Sequence, residues 1–496
     1  MLNIAFKSLS SVVFERLRTL SSHCEDAIAI ESDDRLITYH GLVVMIERWK
    51  ALITGLNLPS RVCIGLRFVD QVEYLVCHTA LLELHITQVM IDVQEPLSVQ
   101  HKQAAECSVD ILIQDVDETP VGFDCPVVNA MTLANVVVTA IKDKRYSADT
   151  ALLFLGSGTT SAPKLIALSA NQYSAILKRG QQALVLNVGD RYYAPSKIQY
   201  TFPRRQALLC LLQGGTLLLS HQTPSDMIAF ANQRNVQHLL LTVDQAQRFL
   251  VQAINSDAPE GGGYWLPNLK SLQLSSSLVK QSLRDFVLRT ITPNLYISYG
   301  TNEIGMVSLA TPDDIRSVPG TVGQVIEGAQ IQLLPTYSDQ SAAELLIKVD
   351  EMLSGYVNNS AADQKSFSHA EWYQPNDLAR LTADGQLIIE GRSDDMMIFT
   401  GVNLYPRPME EVLEQHPWVI EAAVFPVNLG WQEGIPVAAV VVRQPVAVKV
   451  LLDHCEAYLG WRRPQWVFIV KDLPRNKAGK VLKRQLIETV QLSLTP

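Results

Sequence analysis

The chain has 496 residues, of which 47% are apolar and 18% are charged, and its formal net charge is −9 at pH 7. This length exceeds what one hydrophobic core usually organises, so two or more domains are expected, and the acidic balance argues against general nucleic-acid binding. No apolar run approaches the roughly 20 residues that span a bilayer, and the first residues lack the layout of a signal peptide, so a cytoplasmic location is expected. The seven cysteines are scattered and form no CxxC pair, which argues against a zinc site.

The first 300 residues alternate short apolar runs with helix-length segments such as Tyr39–Leu52 and Gln71–Leu82. This alternation is typical of parallel strands joined by crossover helices, and it predicts an α/β fold. The predicted strands are Ala27–Ile30, Val62–Leu66, Val89–Ile91, Asp110–Ile113, Pro126–Val128, Ala151–Leu155, Thr216–Leu219, His238–Thr242, Ser271–Leu274 and Leu295–Ser298.

After Gly300 the pattern changes to short alternating runs between glycines, which predicts a small antiparallel, barrel-like subdomain. The last hundred residues show a separate pattern of helices and strands, which predicts a small α+β domain. We place the boundary at Ser393–Asp394, giving an amino-terminal domain 1–393 and a carboxyl-terminal domain 394–496. The predicted elements of the second domain are Pro408–His416, Ala422–Pro426, Val437–Val442 and Val448–Leu459.

The apolar run Ala151–Leu155 ends in a loop of glycine, serine and threonine that closes on Lys164. Gly156 and Gly158 allow backbone angles at which successive N–H groups converge on an anion, and hydroxyl side chains add further donors. Lys164 supplies a mobile positive charge, so the segment is typical of a phosphate-binding loop. It is not a Walker loop, and an ordinary connection is the alternative for this segment alone.

Four later stretches carry side chains that suit a nucleotide. Glu303 can hold a divalent cation, and Asp377 can accept hydrogen bonds from ribose hydroxyls. The segment Trp461–Arg484 has eight basic residues against one acid and is expected to meet an anion, with a solvated basic face as the alternative. The four stretches are Tyr299–Gly305, Trp372–Leu378, Gly391–Asp395 and Pro474–Val481.

These stretches and the phosphate loop, in this order and spacing, resemble the adenylate-forming superfamily of acyl-CoA synthetases, peptide-synthetase adenylation domains and luciferases. The resemblance covers nearly the whole chain, including Arg35–Leu42 and Gly401–Pro406. It implies that ATP and a small carboxylic acid are substrates, with Mg²⁺ as cofactor. It also implies that the acyl group passes from an adenylate to the phosphopantetheine thiol of CoA or of a carrier protein, in a monomer or homodimer.

The resemblance also implies a role for individual residues. Lys480 would reach between the substrate carboxylate and the α-phosphate, with Glu303 and Lys164 as the other catalytic residues and Glu303 as the magnesium ligand. Asp394 would be the hinge, and Gly401 would line the thiol channel after domain rotation. The implied nucleotide-binding residues are Gly156, Ser157, Gly158, Thr159, Thr160, Ser276, Tyr299, Gly300, Asn302, Asp377 and Arg392. The implied substrate pocket is formed by Tyr200, Thr201, Gln273 and Thr301.

The sequence departs from the family pattern at four places. Asn302 replaces the threonine or serine that touches the α-phosphate, and Leu165 replaces the glycine after Pro-Lys. Asn376 replaces the glycine before the ribose aspartate, and Ser275–Ser277 replaces a glycine-rich turn. Each is expected to place a side chain near the nucleotide, which leaves a slow enzyme or a non-catalytic nucleotide-binding descendant as alternatives.

Thr201, counted back from Leu211–Gly214, stands where amino-acid-activating relatives carry the aspartate that binds the substrate ammonium. A threonine cannot neutralise a buried ammonium, and the nearest acid upstream is Asp190. An aryl, short-chain or fatty acid is therefore favoured, in a neutral pocket. Lys197 and Arg204 are expected to be solvated, with contact to a polar substituent of the acid as the alternative. An amino-acid adenylation enzyme and an amide-forming ligase with an amine acceptor remain alternatives.

Overall fold

The structure is a computed structural model of the chain. It describes residues 9–117, 120–130, 141–156, 164–220, 226–255, 263–275, 277–334, 343–353, 355–357, 366–369, 371–400, 402–429, 432–476 and 479–494.

Within these residues most strands before Ile297 are separated by helices, and most strands after it have no helix between them. The strands are β1 (Ile28–Glu31), β2 (Leu36–Thr38), β3 (Cys63–Arg67), β4 (Thr87–Met90), β5 (Ile111–Gln114), β6 (Val127–Asn129), β7 (Thr150–Gly156), β8 (Lys164–Ser169), β9 (Arg191–Tyr193), β10 (Thr216–Leu218), β11 (His238–Thr242), β12 (Ser271–Ser275), β13 (Leu295–Thr301), β14 (Gly305–Ala310), β15 (Thr321–Val325), β16 (Ala329–Leu334), β17 (Ala343–Val349), β18 (Asp377–Leu381), β19 (Leu387–Arg392), β20 (Met397–Phe399), β21 (Val402–Leu404), β22 (Val419–Leu429), β23 (Gln432–Val442) and β24 (Trp466–Ile469).

The helices of the described residues lie mostly in the first half of the chain. They are α1 (Leu9–His23), α2 (Tyr39–Gly55), α3 (Gln71–Glu83), α4 (Leu97–Glu106), α5 (Ala170–Gly180), α6 (Thr201–Gln213), α7 (Met227–Gln233), α8 (Val243–Asn255), α9 (Gln281–Phe286), α10 (Pro312–Ser317), α11 (Pro406–Gln415), α12 (Val448–Leu459) and α13 (Lys483–Leu494). Among them, no helix combines the length and the apolar character that a membrane crossing requires.

The first sheet has six strands in the order β6-β5-β3-β4-β7-β8, parallel except for the hairpin β7–β8. Every residue of β3 and β5 is buried, as expected for parallel strands covered on both faces. One apolar core joins this sheet to the second sheet, since it contains Ile64 and Leu152 from the first and Ile30 and Leu217 from the second. Helix α6 lies in that core, and its residues from Pro203 to Leu212 are all buried.

The second sheet has thirteen strands in the order β16-β17-β18-β19-β15-β14-β13-β12-β11-β9-β10-β1-β2. Its centre, from β13 to β1, is parallel, and the strands from β14 to β16 extend it in an antiparallel arrangement. The predicted α/β fold with an antiparallel subdomain is confirmed. The antiparallel strands continue the parallel sheet edge to edge, which the alternation pattern did not predict.

The final segment builds a three-stranded sheet, β22-β23-β24, with helices α11, α12 and α13. Its apolar core contains only residues between Met397 and Val490. Contacts to the larger part of the molecule include an ion pair of Lys280 with Glu414. A second contact joins Arg475 Nε to Asp244 Oδ1 at 3.5 Å. A separate core supports the boundary at Ser393–Asp394, which stays a proposal.

Candidate active site

A cavity of about 1300 Å³ lies where the carboxyl ends of β4, β7, β11, β12 and β13 meet the final segment. Parallel α/β sheets bind ligands at this edge, because the loops that follow the strands converge there. The cavity is lined by Lys164, Glu303, Asp377, Arg392 and Lys480, which come from widely separated parts of the sequence. The structure therefore brings together the charged side chains that the resemblance selected.

The phosphate loop connects β7 to β8, and its two ends, Gly156 and Lys164, are paired across that hairpin. The loop itself, with Ser157, Gly158, Thr159 and Thr160, lies outside the described residues. Lys164 begins β8 and lines the cavity. Backbone pairing up to Gly156 holds both ends of the loop at the cavity edge.

Leu165 is placed differently from the expectation that it adds a side chain near the nucleotide. Its side chain is buried in an apolar cluster with Val89 and Leu153, and its backbone pairs with Val357. It is not among the residues that line the cavity. Alternate residues of a strand face opposite sides of the sheet, so Leu165 faces the core while its neighbour Lys164 faces the cavity. The leucine that replaces the family glycine therefore contributes to packing.

Tyr356 connects the catalytic pair Glu303 and Lys164. Its hydroxyl donates a hydrogen bond to Glu303 Oε1 at 2.9 Å and accepts one from Lys164 Nζ at 3.4 Å. The Lys164 ammonium also lies 4.5 Å from the centre of the Tyr356 ring. Burial, together with the neighbouring Glu303 carboxylate, raises the pKa of Tyr356, so the phenol stays protonated and remains a donor. The sequence analysis did not select Tyr356.

The turn between β13 and β14 carries Glu303 and requires a glycine at Gly300. A Cβ at Gly300 would lie 2.3 Å from the Gly305 carbonyl oxygen, so the strands approach too closely for any side chain. The turn is held from beneath by Arg205, whose Nη2 donates to the Asn302 carbonyl at 2.8 Å. Asn302 itself lines the cavity.

Asp377 and Arg392 face each other across the antiparallel pair β18–β19. Arg392 Nη1 lies 3.5 Å from Asp377 Oδ1, and the Tyr299 hydroxyl donates to Asp377 Oδ2 at 2.5 Å. Burial and the Asp377 charge raise the pKa of Tyr299, which keeps its hydroxyl a donor. The carboxylate is thus held in one orientation at the cavity wall.

Asn376 has a backbone φ of +65°, a left-handed conformation in which asparagine is the side chain most tolerated after glycine. This explains why asparagine can replace the family glycine before the ribose aspartate. The residue lines the cavity, and its buried Oδ1 has no hydrogen-bond partner in the structure. The expectation that Asn376 places a side chain near the nucleotide stays a prediction.

Lys480 projects from a short hairpin in which Arg475 pairs with Val481. Asn476 closes the hairpin, because its Oδ1 accepts from Lys480 N and its own N donates to the Lys480 carbonyl, both at 2.9 Å. Gly479 has a φ of +79°, and a Cβ there would lie 2.7 Å from Asp244 Cβ on helix α8. The hairpin is docked against α8 with Lys480 in the cavity.

Tyr200 and Thr201, which were predicted to form the substrate pocket, line the cavity, and carboxylates lie beside them. The Tyr200 hydroxyl donates to Asp92 Oδ2 at 3.2 Å, and Asp92 and Glu95 both line the cavity from the segment after β4. The expectation of a neutral pocket, drawn from the sequence around Thr201 alone, is corrected by these carboxylates.

The expectation that Arg204 is solvated is also wrong, because this residue is 4% exposed. Its Nη1 donates to the Tyr74 hydroxyl at 2.7 Å. Asp190, the nearest upstream acid, pairs with His238 and Lys270 and does not line the cavity.

The remaining predicted positions are divided between the cavity and its surroundings. Thr301 lines the cavity, and its buried hydroxyl has no partner in the structure. Gln273 is buried on β12, where its Nε2 donates to Ser298 at 2.9 Å, and it is not among the lining residues. Asp394 lies in a 3₁₀ turn directly after β19. Ser276 and Gly401 lie outside the described residues.

Comparison with known families agrees with this geometry. The profile of the AMP-binding enzyme family matches residues 18–357, and that of the AMP-binding enzyme C-terminal domain matches residues 408–480. The chain belongs to the AMP-binding enzyme family. The predicted resemblance to adenylate-forming enzymes is thereby confirmed.

This AMP-binding enzyme is 22% identical over 479 residues to the 2-succinylbenzoate–CoA ligase of Bacillus cereus (strain ATCC 10987 / NRS 248), covering 94% of this chain and 96% of the relative. Its fold is similar to O-succinylbenzoate coenzyme A synthetase from Bacillus subtilis, solved with ATP and magnesium ion (TM-score 0.80, 19% identity, 95% and 98% of the two chains). It is equally similar to an amide bond synthetase from Marinactinospora thermotolerans (TM-score 0.80, 19% identity, 96% and 99% of the two chains). At these identities the solved structures show the shared fold.

Proposed function

We propose that this AMP-binding enzyme is an ATP-dependent carboxylate ligase. It joins an aryl or aliphatic acid to AMP with release of pyrophosphate, and it passes the acyl group to the phosphopantetheine thiol of CoA or of a carrier protein. The observation that carries the proposal is that Lys480, from the last stretch of the chain, lines one cavity with Lys164, Glu303 and Asp377. Such a convergence is expected of a site that holds a nucleotide and a second substrate together.

The side chains suit attack by a carboxylate oxygen on the α-phosphorus of ATP, with the bond to pyrophosphate breaking. An ionised carboxylate needs no general base, so the enzyme has to position two anionic groups and offset their repulsion. Lys480 and Lys164 supply positive charge to the reacting groups. Asp377, held by Tyr299 and Arg392, is oriented to accept hydrogen bonds from ribose hydroxyls.

The residues present also fit a magnesium ion. Mg²⁺ is usually bound by one or two carboxylates together with substrate phosphates, and it neutralises phosphate charge. Glu303 lines the cavity, and one of its oxygens is fixed by Tyr356. No cluster of three or more His, Cys, Asp or Glu that could hold a metal occurs in the described part of the chain, so the ion would depend on the nucleotide for its other ligands.

Thioester formation requires a thiol to reach the adenylate while Lys480 occupies the cavity wall. We propose that the carboxyl-terminal domain rotates about Asp394, which lies between β19 and the first strand of the final segment. The polar contacts between the two parts, such as the ion pair of Lys280 with Glu414, can be exchanged at lower cost than an apolar interface. The basic stretch Trp461–Arg484 would then attract the phosphates of CoA or an acidic carrier.

An amine acceptor, which gives an amide directly from the adenylate, is a second candidate. It is favoured by the fold similarity to an amide bond synthetase over 96% of the chain. The carboxylates Asp92 and Glu95 at the cavity wall would suit an incoming amine.

The test is acid-dependent exchange of labelled pyrophosphate into ATP across a panel of aryl, aliphatic and amino acids. The best acid is then supplied with CoA, with a phosphopantetheinylated carrier protein or with amines, and the product is identified by mass. Exchange with at least one acid and a thioester product are expected. An amide product would instead support the second candidate, an amide-forming ligase. Tight ATP binding without exchange for any acid would identify a non-catalytic descendant.

A further inference from the structure

Arg205 is a buried cation at the wall of the acid-binding side of the cavity. It is 5% exposed and lines the cavity one helical turn after Thr201, so both side chains lie on the same face of α6. Its Nη2 donates to the Asn302 carbonyl, but its buried Nε has no hydrogen-bond partner. The guanidinium therefore lies at the cavity wall with a neutral backbone carbonyl as its hydrogen-bond acceptor.

No carboxylate of the described residues forms an ion pair with Arg205, although the nearby charge of Glu303 acts on it. The neighbouring Arg204 also forms no ion pair there, its Nε lacks a partner, and it lines the same cavity. Burial of a cation without a counter-charge is costly, so a site that maintains two adjacent guanidiniums is suited to an anion. Burial lowers the pKa of Arg205 to about 10, which still leaves it charged at neutral pH.

Arg179 is a second buried arginine of this region, and its Nε, like that of Arg205, has no hydrogen-bond partner. It is 3% exposed, and it donates to the Ile304 carbonyl at 2.5 Å and to the Asp350 carbonyl at 3.2 Å. It supports the same turn as Arg205 but does not line the cavity. The two arginines bond different carbonyls of the turn, and they differ in that only Arg205 lies at the cavity wall.

We propose that the acid substrate carries a second carboxylate, which Arg205 binds with Arg204 adding positive potential. The proposal rests on the proposed ligase function and makes the preferred substrates dicarboxylic acids. The reacting carboxylate would lie between Lys480 and the α-phosphate. Lys480 already supplies a positive charge there, so the reacting carboxylate does not need Arg205. The second carboxylate would form charge-assisted, directional hydrogen bonds with the guanidinium.

The experiment compares acids of one skeleton that differ only in the second carboxylate, for example benzoate with the benzene dicarboxylates and butanoate with butanedioate. The value of kcat/KM for ATP–pyrophosphate exchange is measured for each acid. The wild-type enzyme is expected to favour one or more diacids at least tenfold over the matched monoacid. Arg205→Met should lower activity on both acids, because the turn that carries Glu303 loses a hydrogen bond, but it should lower diacid activity at least tenfold more than monoacid activity. Arg205→Lys should restore part of the preference.

Arg179→Met is the matched control, since it removes an equally buried guanidinium beside the same turn without changing the cavity wall. It should leave the diacid-to-monoacid ratio within about threefold of wild type. A wild-type preference for monoacids would overturn the proposal. So would an equal loss on both acids in Arg205→Met, since the guanidinium would then act through the turn, on the reacting carboxylate or on the phosphate.

A binding measurement separates this proposal from the proposed function. With a non-hydrolysable ATP analogue present, diacids should raise the melting temperature of the wild-type protein, and matched monoacids should not. Absence of exchange with every acid would reject the ligase function even if this shift occurred. Absence of any shift with diacids, where exchange with monoacids is present, would reject the role of Arg205 alone. Should Arg205→Met not fold, the wild-type comparison of diacids with their half-amides decides the matter.

Discussion

At the scale of single residues, Tyr356 is the side chain that couples the predicted metal ligand to the phosphate-loop lysine. Tyr356→Phe keeps the ring that packs against Phe367, with centroids 5.6 Å apart, and removes the hydroxyl that donates to Glu303. We expect the variant to need about tenfold more Mg²⁺ for half-maximal pyrophosphate exchange, because Glu303 loses its fixed orientation. Stability should change little.

Tyr192→Phe is the control for Tyr356→Phe. The Tyr192 hydroxyl is buried without a hydrogen-bond partner, and the residue does not line the cavity. Its loss should leave the magnesium dependence unchanged. An unaltered magnesium dependence in Tyr356→Phe would contradict the positioning role.

A second residue-scale prediction concerns pH and stability. His78 is fully buried, stacks on Tyr74, and its pKa is lowered by burial from 6.5 to about 3. The unfolded chain therefore binds a proton at this position between pH 6.5 and about 3, and the folded chain does not. The contribution of His78 to the free energy of unfolding is therefore fully present above pH 6.5 and is lost as the pH falls towards 3.

The urea unfolding midpoint measured from pH 7 to pH 4 tests this linkage. His78→Leu should be less stable at pH 7, because Gln88 loses the 2.7 Å hydrogen bond of the imidazole, but its midpoint should fall less steeply with pH than that of wild type. His40→Gln, at an exposed position, should retain the wild-type slope. Parallel slopes in all three proteins would show that another group governs acid sensitivity.

At the scale of elements, the hairpin around Lys480 depends on close contact with helix α8. Gly479→Ala places a methyl group 2.7 Å from Asp244 Cβ in a backbone conformation with φ of +79°. We expect the hairpin to move off α8 and pyrophosphate exchange to fall at least tenfold, measured as kcat at saturating substrates. The fold of both domains should remain, as judged by circular dichroism.

Gly385→Ala separates backbone strain from the clash. Gly385 has nearly the same φ, +78°, but a Cβ there meets no atom within 4 Å. This variant should lose a similar amount of stability, about 1 kcal/mol, and should keep its exchange activity. If both variants lost activity equally, contact with α8 would not be the cause.

At the scale of the whole molecule, the described arrangement is suited to adenylate formation, because Lys480 lines the same cavity as Glu303 and Asp377. Lys480→Ala should lower acid-dependent pyrophosphate exchange by about a hundredfold or more, comparable to loss of a charge that stabilises a transition state. Thioester formation from supplied acyl-adenylate should be largely maintained, because that step would follow withdrawal of the lysine from the cavity.

Lys280→Ala is the control for domain contact, since it removes only an ion pair between the two parts of the molecule. It should change both half-reactions by less than about threefold. Equal losses in both half-reactions of Lys480→Ala would contradict a role limited to the first step.

Much of the architecture was determined by local sequence alone. The predicted strands from Ala27 to Ser298 all match observed strands within a few residues, and helix Val448–Leu459 has the predicted bounds. Apolar runs and helix-length segments carry this information because each element must bury its own apolar face. Short elements with little pattern, such as β24, and the terminal helices α1 and α13 were not predicted.

The sequence by itself also selected Lys164, Glu303, Asp377, Arg392 and Lys480, because its motifs resemble those of the adenylate-forming superfamily in order and spacing. Only the tertiary structure decided the surroundings of these residues. It placed Leu165 in the core, Tyr356 beside Glu303, Asp92 beside Tyr200 and a buried Arg205 at the cavity wall. These outcomes depend on contacts between residues far apart in the chain, such as 108 positions for Asp92 and Tyr200. Burial and pairing are properties of such contacts, and no local pattern contains them.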